Sequence, residues 1–139
     1  GRGDLTGRAV HDDAAIGAFS AVHQFCRVGR HAYIGGFSRL LTDALPFVKT
    51  VGLRPAVFGV NRIGLRRKGL DDERIRTIEK AMRIFLRSGL NTTQALERLD
   101  AEFPGAPDVE YLVQFVRSAK RGVVKALPTH RGAGDTGGD

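Results

Sequence analysis

Branched aliphatic residues recur every six positions through the first third of the chain. The series comprises Val10, Ile16, Val22, Val28, Ile34 and Leu40. Small residues follow four positions later, at Ala14, Ser20, Cys26, Ala32, Ser38 and Ala44. A period of six matches neither the 3.6 residues of an α-helical turn nor the alternation of a strand. It is typical of a parallel β-solenoid, in which three hexads form one triangular coil. We therefore predict about two coils, with the aliphatics along the axis and the small residues at cramped corners.

Glycine and proline shape this prediction further. Gly17, Gly29 and Gly35 each follow an aliphatic directly, where we expect them to allow a tight turn. Glycines at this density disfavour the alternative of a helix through residues 14–45. Pro46 has no backbone N–H for the next ladder rung, so we predict that the solenoid ends at residue 47.

The beginning of the chain resembles a break in a longer repeat. Residues 5–8 are out of phase with the later hexads, and Gly1 stands where a natural N-terminus would carry an initiator Met. Solenoids usually need at least three repeats and a cap for stability. We therefore expect further coils before residue 1, which would make this chain a fragment.

Beyond the repeat, the pattern changes to a connector and then to helices. Residues 48–69 are rich in Gly, Pro and basic residues, and predict an extended basic connector. Apolar residues then recur at helical spacing, with Asp71 as the N-cap of a first helix and Gly89 as its stop. The spacing of Asn91 and Gln94 predicts a capping box for a second helix, which ends before Pro104.

A third helix is predicted from about Asp108 to Ala119, because Val109, Leu112 and Val113 share one face. The predicted organisation is therefore four segments. Residues 1–47 form β-helix coils, 48–69 the connector, 70–125 a three-helix domain and 126–139 a disordered tail rich in Gly and Asp.

Composition limits the class of protein and of partner. The 139 residues are 42% hydrophobic, which is ordinary for one folded domain. The formal charge of +7 favours an acidic partner, which could be nucleic acid, anionic lipid, a phosphorylated ligand or an acidic protein. Cys26 is the single cysteine, so an internal disulfide is excluded, and no apolar run approaches the roughly 20 residues of a membrane span. We expect a cytoplasmic, not a transmembrane, protein without a metal or cofactor.

Four motifs carry a resemblance to a known family. They are His-Gln-Phe-Cys at residues 23–26, Ile-Gly-Gly-Phe-Ser at 34–38, Phe-Gly-Val-Asn at 58–61 and Gly-Leu-Arg-Arg-Lys-Gly at 64–69. Over about residues 5–125 the chain closely resembles the C-terminal half of the acyl carrier protein-dependent UDP-N-acetylglucosamine O-acyltransferases. The resemblance implies a left-handed parallel β-helix followed by a helical domain, assembled as a homotrimer. It also implies transfer of a 3-hydroxyacyl chain from acyl carrier protein to the sugar 3-hydroxyl, the first step of lipid A biosynthesis.

The resemblance assigns roles residue by residue. The predicted substrate-binding residues are His23, Gln24, Asn61, Arg67 and Lys68. The predicted acyl-chain channel includes Gly36 and Arg54, and the predicted carrier-protein contacts are Arg27, Arg30 and Arg66. The catalytic base, a histidine at the cleft between two subunits, is expected before residue 1, so we expect this chain alone to be inactive.

Some positions depart from the family pattern or match no motif in it. Arg8 stands where the family has a histidine, Ile63 replaces an acidic residue near the nucleotide, and Arg54 replaces a histidine beside the acyl channel. His11 matches no family motif, so we interpret it as surface decoration. Cys26 occupies a small corner position rather than a metal site.

Two other functions compete with this interpretation. One is a different hexapeptide enzyme, such as the later N-acyltransferase of the same pathway, against which the connector motif argues. The other is a nucleic-acid-binding protein that uses residues 66–68 together with Arg74, Arg76, Arg83 and Arg87. That second alternative leaves the hexads unexplained and lacks interleaved aromatic residues and helix-turn-helix spacing. We therefore expect no nucleic-acid partner.

Overall fold

The computed structural model describes residues 2–3 and 9–129, and within these ranges short strands precede four helices. The strands are β1 (Arg2–Gly3), β2 (Ala9–Val10), β3 (Ala15–Ile16), β4 (Ala21–Val22), β5 (Arg27–Val28), β6 (Tyr33–Ile34), β7 (Arg39–Leu40), β8 (Val48–Val51) and β9 (Ala56–Val60). The helices are α1 (Arg62–Arg67), α2 (Asp72–Arg87), α3 (Thr92–Glu102) and α4 (Pro107–Arg117).

β1 pairs antiparallel with β2, whereas β2, β3 and β4 each pair in parallel with the strand three hexads later. β2 pairs with β5, β3 with β6 and β4 with β7, so that Val10 faces Val28 and Ile16 faces Ile34. This is the pairing that a coil of three hexads requires, because the chain returns to the same edge after each turn. The six-residue period therefore predicted both the strand positions and their register.

The aliphatic series is buried unevenly. Val28, Ile34 and Leu40 are completely buried. Val10 and Ile16, in the first turn, are 38% and 41% exposed. Each fully buried aliphatic side chain contributes about 1.5–3 kcal/mol to stability. The axis is therefore a packed core in the second turn and an uncovered surface in the first.

The parallel ladder does not end at residue 47, which corrects that predicted boundary. β8 pairs in parallel with β6, so that Ile34 faces Thr50, and β9 then returns antiparallel to β8. Pro46 does not interrupt the ladder because it lies in the corner before β8, directly against Gly29. Its missing N–H therefore falls at a turn rather than within a strand.

The predicted extended connector over 48–69 is also wrong, since this segment contains β8, β9 and α1. Asn61 caps α1 by accepting a hydrogen bond from the Gly64 N–H, and Leu65 buries the inner face of this helix. A helix of six residues is too short to show a helical hydrophobic period. The sequence therefore showed only the basic residues of α1 and gave no sign of a helix.

The three predicted helices of the C-terminal domain are confirmed as α2, α3 and α4. The Asp71 carboxylate accepts from the Arg74 N–H, and Gly89 adopts a left-handed φ of 81° after α2. Asn91 and Gln94 form the reciprocal capping box of α3. The buried faces of these helices join the coil axis in one hydrophobic cluster. No helix within the described ranges is long and apolar enough to cross a membrane.

The glycines of the coil act through close packing rather than through turns, which corrects their predicted role. Left-handed φ angles occur instead at the corner residues Asp13, Phe19, His31, Phe37 and Phe47. A Cβ on Gly17 would lie 2.5 Å from the Gly36 nitrogen, and one on Gly29 would lie 2.6 Å from the Pro46 nitrogen. Neighbouring turns therefore approach so closely that only hydrogen fits between them.

The segment after α4 returns to the coil and packs on it. The Val124 N–H donates to the Asp43 carbonyl at 2.8 Å, and the Val57 N–H donates to the Ala126 carbonyl at 2.7 Å. Leu127 packs against the core cluster. The prediction of a disordered tail is therefore corrected for residues 126–129, and residues 130–139 lie outside the described part.

Candidate functional site

One candidate surface lies at the end of β4, where His23 and Gln24 follow Val22. The His23 backbone is fixed between two turns, because its N–H donates to the Leu40 carbonyl and its carbonyl accepts from the Cys26 N–H, both at 2.9 Å. The Nδ1 atom of His23 is buried without a hydrogen-bond partner among the described residues. Gln24 is exposed. A buried polar atom without a partner is uncommon in proteins, which marks His23 as a candidate functional residue.

A second candidate surface is the basic corner formed by Asn61, Arg67 and Lys68 at the two ends of α1. The Lys68 ammonium pairs with the Asp13 carboxylate at 3.1 Å. The Asn61 amide donates to the His31 carbonyl at 3.0 Å and accepts from the Gly64 N–H at 3.3 Å. Arg67 is exposed and has no ion-pair partner among the described residues. Asn61 therefore fixes the corner, and the cations face outward.

Gly64 explains why the basic motif begins with glycine. A Cβ at this position would lie 2.4 Å from the Asn61 amide nitrogen, so any other residue would displace the cap. Asn61 and Gly64 thus act together in the N-cap of α1. The three-residue spacing between the Phe-Gly-Val-Asn motif and the basic motif is the spacing that this cap requires.

His31 and Asp13 belong to this corner and were missed by sequence reasoning. His31 stacks on Phe47 with ring centroids 6.0 Å apart, and its Nδ1 is buried without a described partner. Burial lowers the pKa of His31. The nearby carboxylates of Asp13 and Asp108 raise this pKa in part, and the cations of Arg74 and Arg30 lower it. The two residues occupy equivalent positions three hexads apart. The 18-residue spacing of Asp13 and His31 could have predicted from the sequence that they lie at the same corner.

The two candidate surfaces lie on different edges of one coil. Within residues 9–129 no contact joins His23 or Gln24 to the basic corner. The face between them, β2 and β5, is covered by α4 through Arg27 and Arg30. One copy of the chain therefore presents the predicted substrate-binding residues as two separate groups.

Arg27, which the family resemblance predicts as a carrier-protein contact, braces α4 against the coil. Its guanidinium pairs with Asp43 at 2.8 Å and donates to the Phe115 carbonyl at 2.7 Å. It also donates to the Ser118 hydroxyl and lies 4.1 Å from the centroid of the Phe115 ring. Only 20% of its side chain is exposed. Its Nε, Nη1 and Nη2 groups therefore all have hydrogen-bond partners within the chain.

Arg30 and Arg66 keep exposed guanidinium groups. Arg30 lies over the Tyr111 ring, 4.3 Å from its centroid, and Arg66 is paired with Asp72 at 3.5 Å across solvent. Exposed pairs of this kind are worth about 0–1 kcal/mol. Both arginines can therefore exchange these partners for an acidic protein.

His11 is a structural residue, which corrects its interpretation as surface decoration. The Tyr111 hydroxyl accepts from the Arg30 N–H at 2.9 Å and also shares a hydrogen bond with Nδ1 of His11. The His11 ring packs edge-on against Phe115 at 5.4 Å. Burial lowers the pKa of His11, with Arg27 and Arg30 acting in the same direction. The neutral imidazole thus fastens α4 to the coil.

The predicted acyl-channel residues lie at the corner farthest from α4. Gly36 is exposed, and a Cβ there would lie 3.2 Å from the Ala18 carbonyl oxygen. Next to it, Phe37 stacks on Phe19 at 5.2 Å, and these rings are 67% and 82% exposed. Arg54 is exposed in the turn between β8 and β9, and the structure shows no contact between it and Gly36. An apolar ladder therefore borders the glycine.

The remaining positions add no chemistry to these surfaces. Cys26 is completely buried at its corner, and burial raises the pKa of its thiol. Among the described residues no group of three His, Cys, Asp or Glu side chains could hold a metal ion. Ile63 is 69% exposed on α1, and Arg8 lies outside the described residues.

Comparison with known proteins gives one consistent result. Residues 43–124 match the family profile of UDP-N-acetylglucosamine O-acyltransferase, domain 2. The acyl carrier protein–UDP-N-acetylglucosamine O-acyltransferase of Anaeromyxobacter sp. (strain K) is 36% identical over 116 residues, which cover 84% of this chain and 45% of that protein. The corresponding enzyme of Alkalilimnicola ehrlichii is 40% identical over the same shares.

The structure agrees with the sequence comparison. A UDP-N-acetylglucosamine acyltransferase from Bacteroides fragilis 9343 matches with a TM-score of 0.81 and 42% identity, over 84% of this chain and 46% of that one. The chain thus spans about half the length of the relatives it matches. It belongs to the UDP-N-acetylglucosamine O-acyltransferase family and corresponds to its C-terminal half.

Proposed function

We propose that the protein transfers a 3-hydroxyacyl chain from acyl carrier protein to the 3-hydroxyl of UDP-N-acetylglucosamine, the first step of lipid A biosynthesis. The observation that carries this proposal is the structural match at 42% identity to a UDP-N-acetylglucosamine acyltransferase. The hexad-paired strands support a left-handed parallel β-helix as the scaffold of the site. The cytoplasm is the predicted location of this reaction, and no cofactor takes part.

The separation of the two candidate surfaces supports a site shared between copies. His23 and Gln24 lie on one edge of the coil, Arg67 and Lys68 lie on another, and α4 covers the face between them. A single substrate can use both groups only where the edge of one copy meets the corner of another. A closed homotrimer satisfies this requirement with three identical contacts.

Each group has a chemical role in this arrangement. Arg67 and Lys68 bind the diphosphate, because guanidinium and ammonium groups form charge-assisted hydrogen bonds with phosphate oxygens. Asn61 retains one amide hydrogen and one carbonyl lone pair beyond its cap, and these remain available to the ribose or base. His23 offers the exposed part of its imidazole, and Gln24 its amide, to the sugar.

The chemical step needs a general base, which we place on a coil before residue 1. There an imidazole removes the proton of the 3-hydroxyl as its oxygen attacks the thioester carbonyl. The thiolate of the carrier protein's prosthetic group then leaves and takes up a proton. This chain contributes the nucleotide corner, the acyl-channel residues Gly36 and Arg54, and the carrier contacts Arg30 and Arg66.

Subunit mixing tests the shared site. Binding of UDP-N-acetylglucosamine is measured by calorimetry, and we expect His23→Ala or Arg67→Ala alone to weaken it about tenfold or more. Copies carrying His23→Ala and copies carrying Arg67→Ala are then folded together. If the site lies between copies, some sites pair an intact His23 with an intact Arg67, and tight binding returns in part.

Arg98→Ala is the matched control, because Arg98 is an exposed arginine of α3 outside both surfaces. It should leave binding unchanged. Mixed assemblies that bind no better than either variant would place both groups in one copy's site. Equal losses with Arg98→Ala would reduce binding to general charge attraction and remove the support for a nucleotide-sugar site.

A further inference from the structure

A groove between the β8–β9 hairpin and α2 lies apart from both candidate surfaces. We call it the hairpin–helix groove; its volume is about 350 Å³, and residues 127–128 close one side. Ligand sites in proteins commonly have volumes of about 300–1,000 Å³. None of the residues predicted to bind the nucleotide sugar, the acyl chain or the carrier protein lines it.

The floor of the groove is apolar. Val57 and Met82 line it and are almost fully buried, and Leu86 and Leu127 are partly buried beside them. The partly exposed side chains of Leu86 and Leu127 keep apolar surface in contact with water, which favours a ligand that removes this water. The floor therefore suits an aliphatic chain.

The rim of the groove is cationic. The Arg62 guanidinium and the Glu79 carboxylate neutralise each other at 2.6 Å. Arg83 and Arg87 lie one helical turn apart on α2, are exposed, and have no ion-pair partner among the described residues. Two unpaired guanidinium groups beside an apolar floor are complementary to a carboxylate joined to an aliphatic tail.

We propose that the hairpin–helix groove binds an aliphatic carboxylate, with the chain on the Val57–Met82 floor and the carboxylate between Arg83 and Arg87. This site is separate from the proposed acyl channel at Gly36. Occupation of the groove therefore neither requires nor excludes the proposed acyltransferase activity, and the two proposals can fail independently.

Met82 provides a specific probe, because it is the only methionine of the chain and lines the groove. The protein is labelled with ¹³C-methyl methionine, and its single methyl resonance is followed by NMR during titration with octanoate, decanoate or octanol. We expect saturable shifts with both carboxylates. Each additional buried CH₂ contributes about 0.8 kcal/mol, or about fourfold in affinity, so decanoate should bind about fifteenfold more tightly than octanoate. Octanol, which lacks the charge, should bind at least about tenfold more weakly than octanoate.

Arginine variants separate specific binding from general attraction to a basic protein. Arg83→Ala and Arg87→Ala should each weaken decanoate binding about tenfold. Arg76→Ala removes an exposed arginine from the same helix outside the groove and should change it less than twofold. Non-saturable shifts, equal binding of octanol and octanoate, or an equal effect of Arg76→Ala would each overturn the proposal. Saturable binding that appears only after residues 130–139 are deleted would identify that segment as the occupant and would also overturn it.

Discussion

Replacing Asp43 with alanine should destabilise the protein strongly, although Asp43 belongs to none of the proposed binding surfaces. Its carboxylate is 3% exposed and accepts hydrogen bonds from both the backbone N–H and the Nε of Arg27, at 2.7 and 2.8 Å. Removing one partner of a buried ion pair costs about 3–5 kcal/mol, because the other charge stays buried and unpaired. Since 20% of the Arg27 side chain is exposed to water, we expect the lower end, about 3 kcal/mol.

Urea unfolding followed by circular dichroism measures this loss. With a slope of about 1.5 kcal/mol per molar, the midpoint should fall by about 2 M. Glu102→Ala removes the partner of the exposed Arg98 on α3 and serves as the control, with an expected loss below about 0.5 kcal/mol. A loss below about 1 kcal/mol for Asp43→Ala would refute the assignment of Arg27 as the brace between coil and α4.

Three further changes test the packing, the caps and the titration of the fold. Gly17→Ala should cost about 2 kcal/mol or more in urea unfolding, whereas Gly36→Ala should cost less, since its Cβ meets a neighbour at 3.2 rather than 2.5 Å. Asn91→Ala should cost about 1 kcal/mol by removing the capping box of α3, and Asn91→Asp should restore most of it. Burial lowers the pKa values of His11 and His31 below 6.5, so the unfolded chain binds more protons and stability should fall as pH drops below about 6.5. His11→Gln should flatten that dependence in part; an unchanged pH profile would contradict the lowered pKa of His11.

The helices of residues 70–125 could be predicted because their signals are local. Asp71 and Asn91 cap their own helices, and each cap is contained within four consecutive residues. The coil could also be predicted, because a packed axis and a cramped corner impose a period that survives in the sequence. The register followed from the number of hexads in a turn.

The corrected features depend on contacts between distant segments. Arg27 reads as an exposed cation until Asp43 and Phe115 are brought beside it by the coil and by α4. His11 reads as surface until α4 places Tyr111 against it. β8 was not predicted because a proline usually ends a strand. In the structure Pro46 lies in the corner before β8, so the parallel pairing continues after it. The site residues themselves came from family resemblance, since no local pattern joins His23 to Arg67.

The central proposal is that this chain carries the nucleotide and acyl-channel parts of a shared acyltransferase site and does not itself supply the catalytic base. Acyl transfer from 3-hydroxyacyl carrier protein to UDP-N-acetylglucosamine by this 139-residue chain, with sedimentation of the same sample, tests it most directly. We predict a trimer without turnover. Turnover would show that a residue of this chain acts as the base, with His23 as the first candidate to test. A monomer at all concentrations would contradict a site formed between copies.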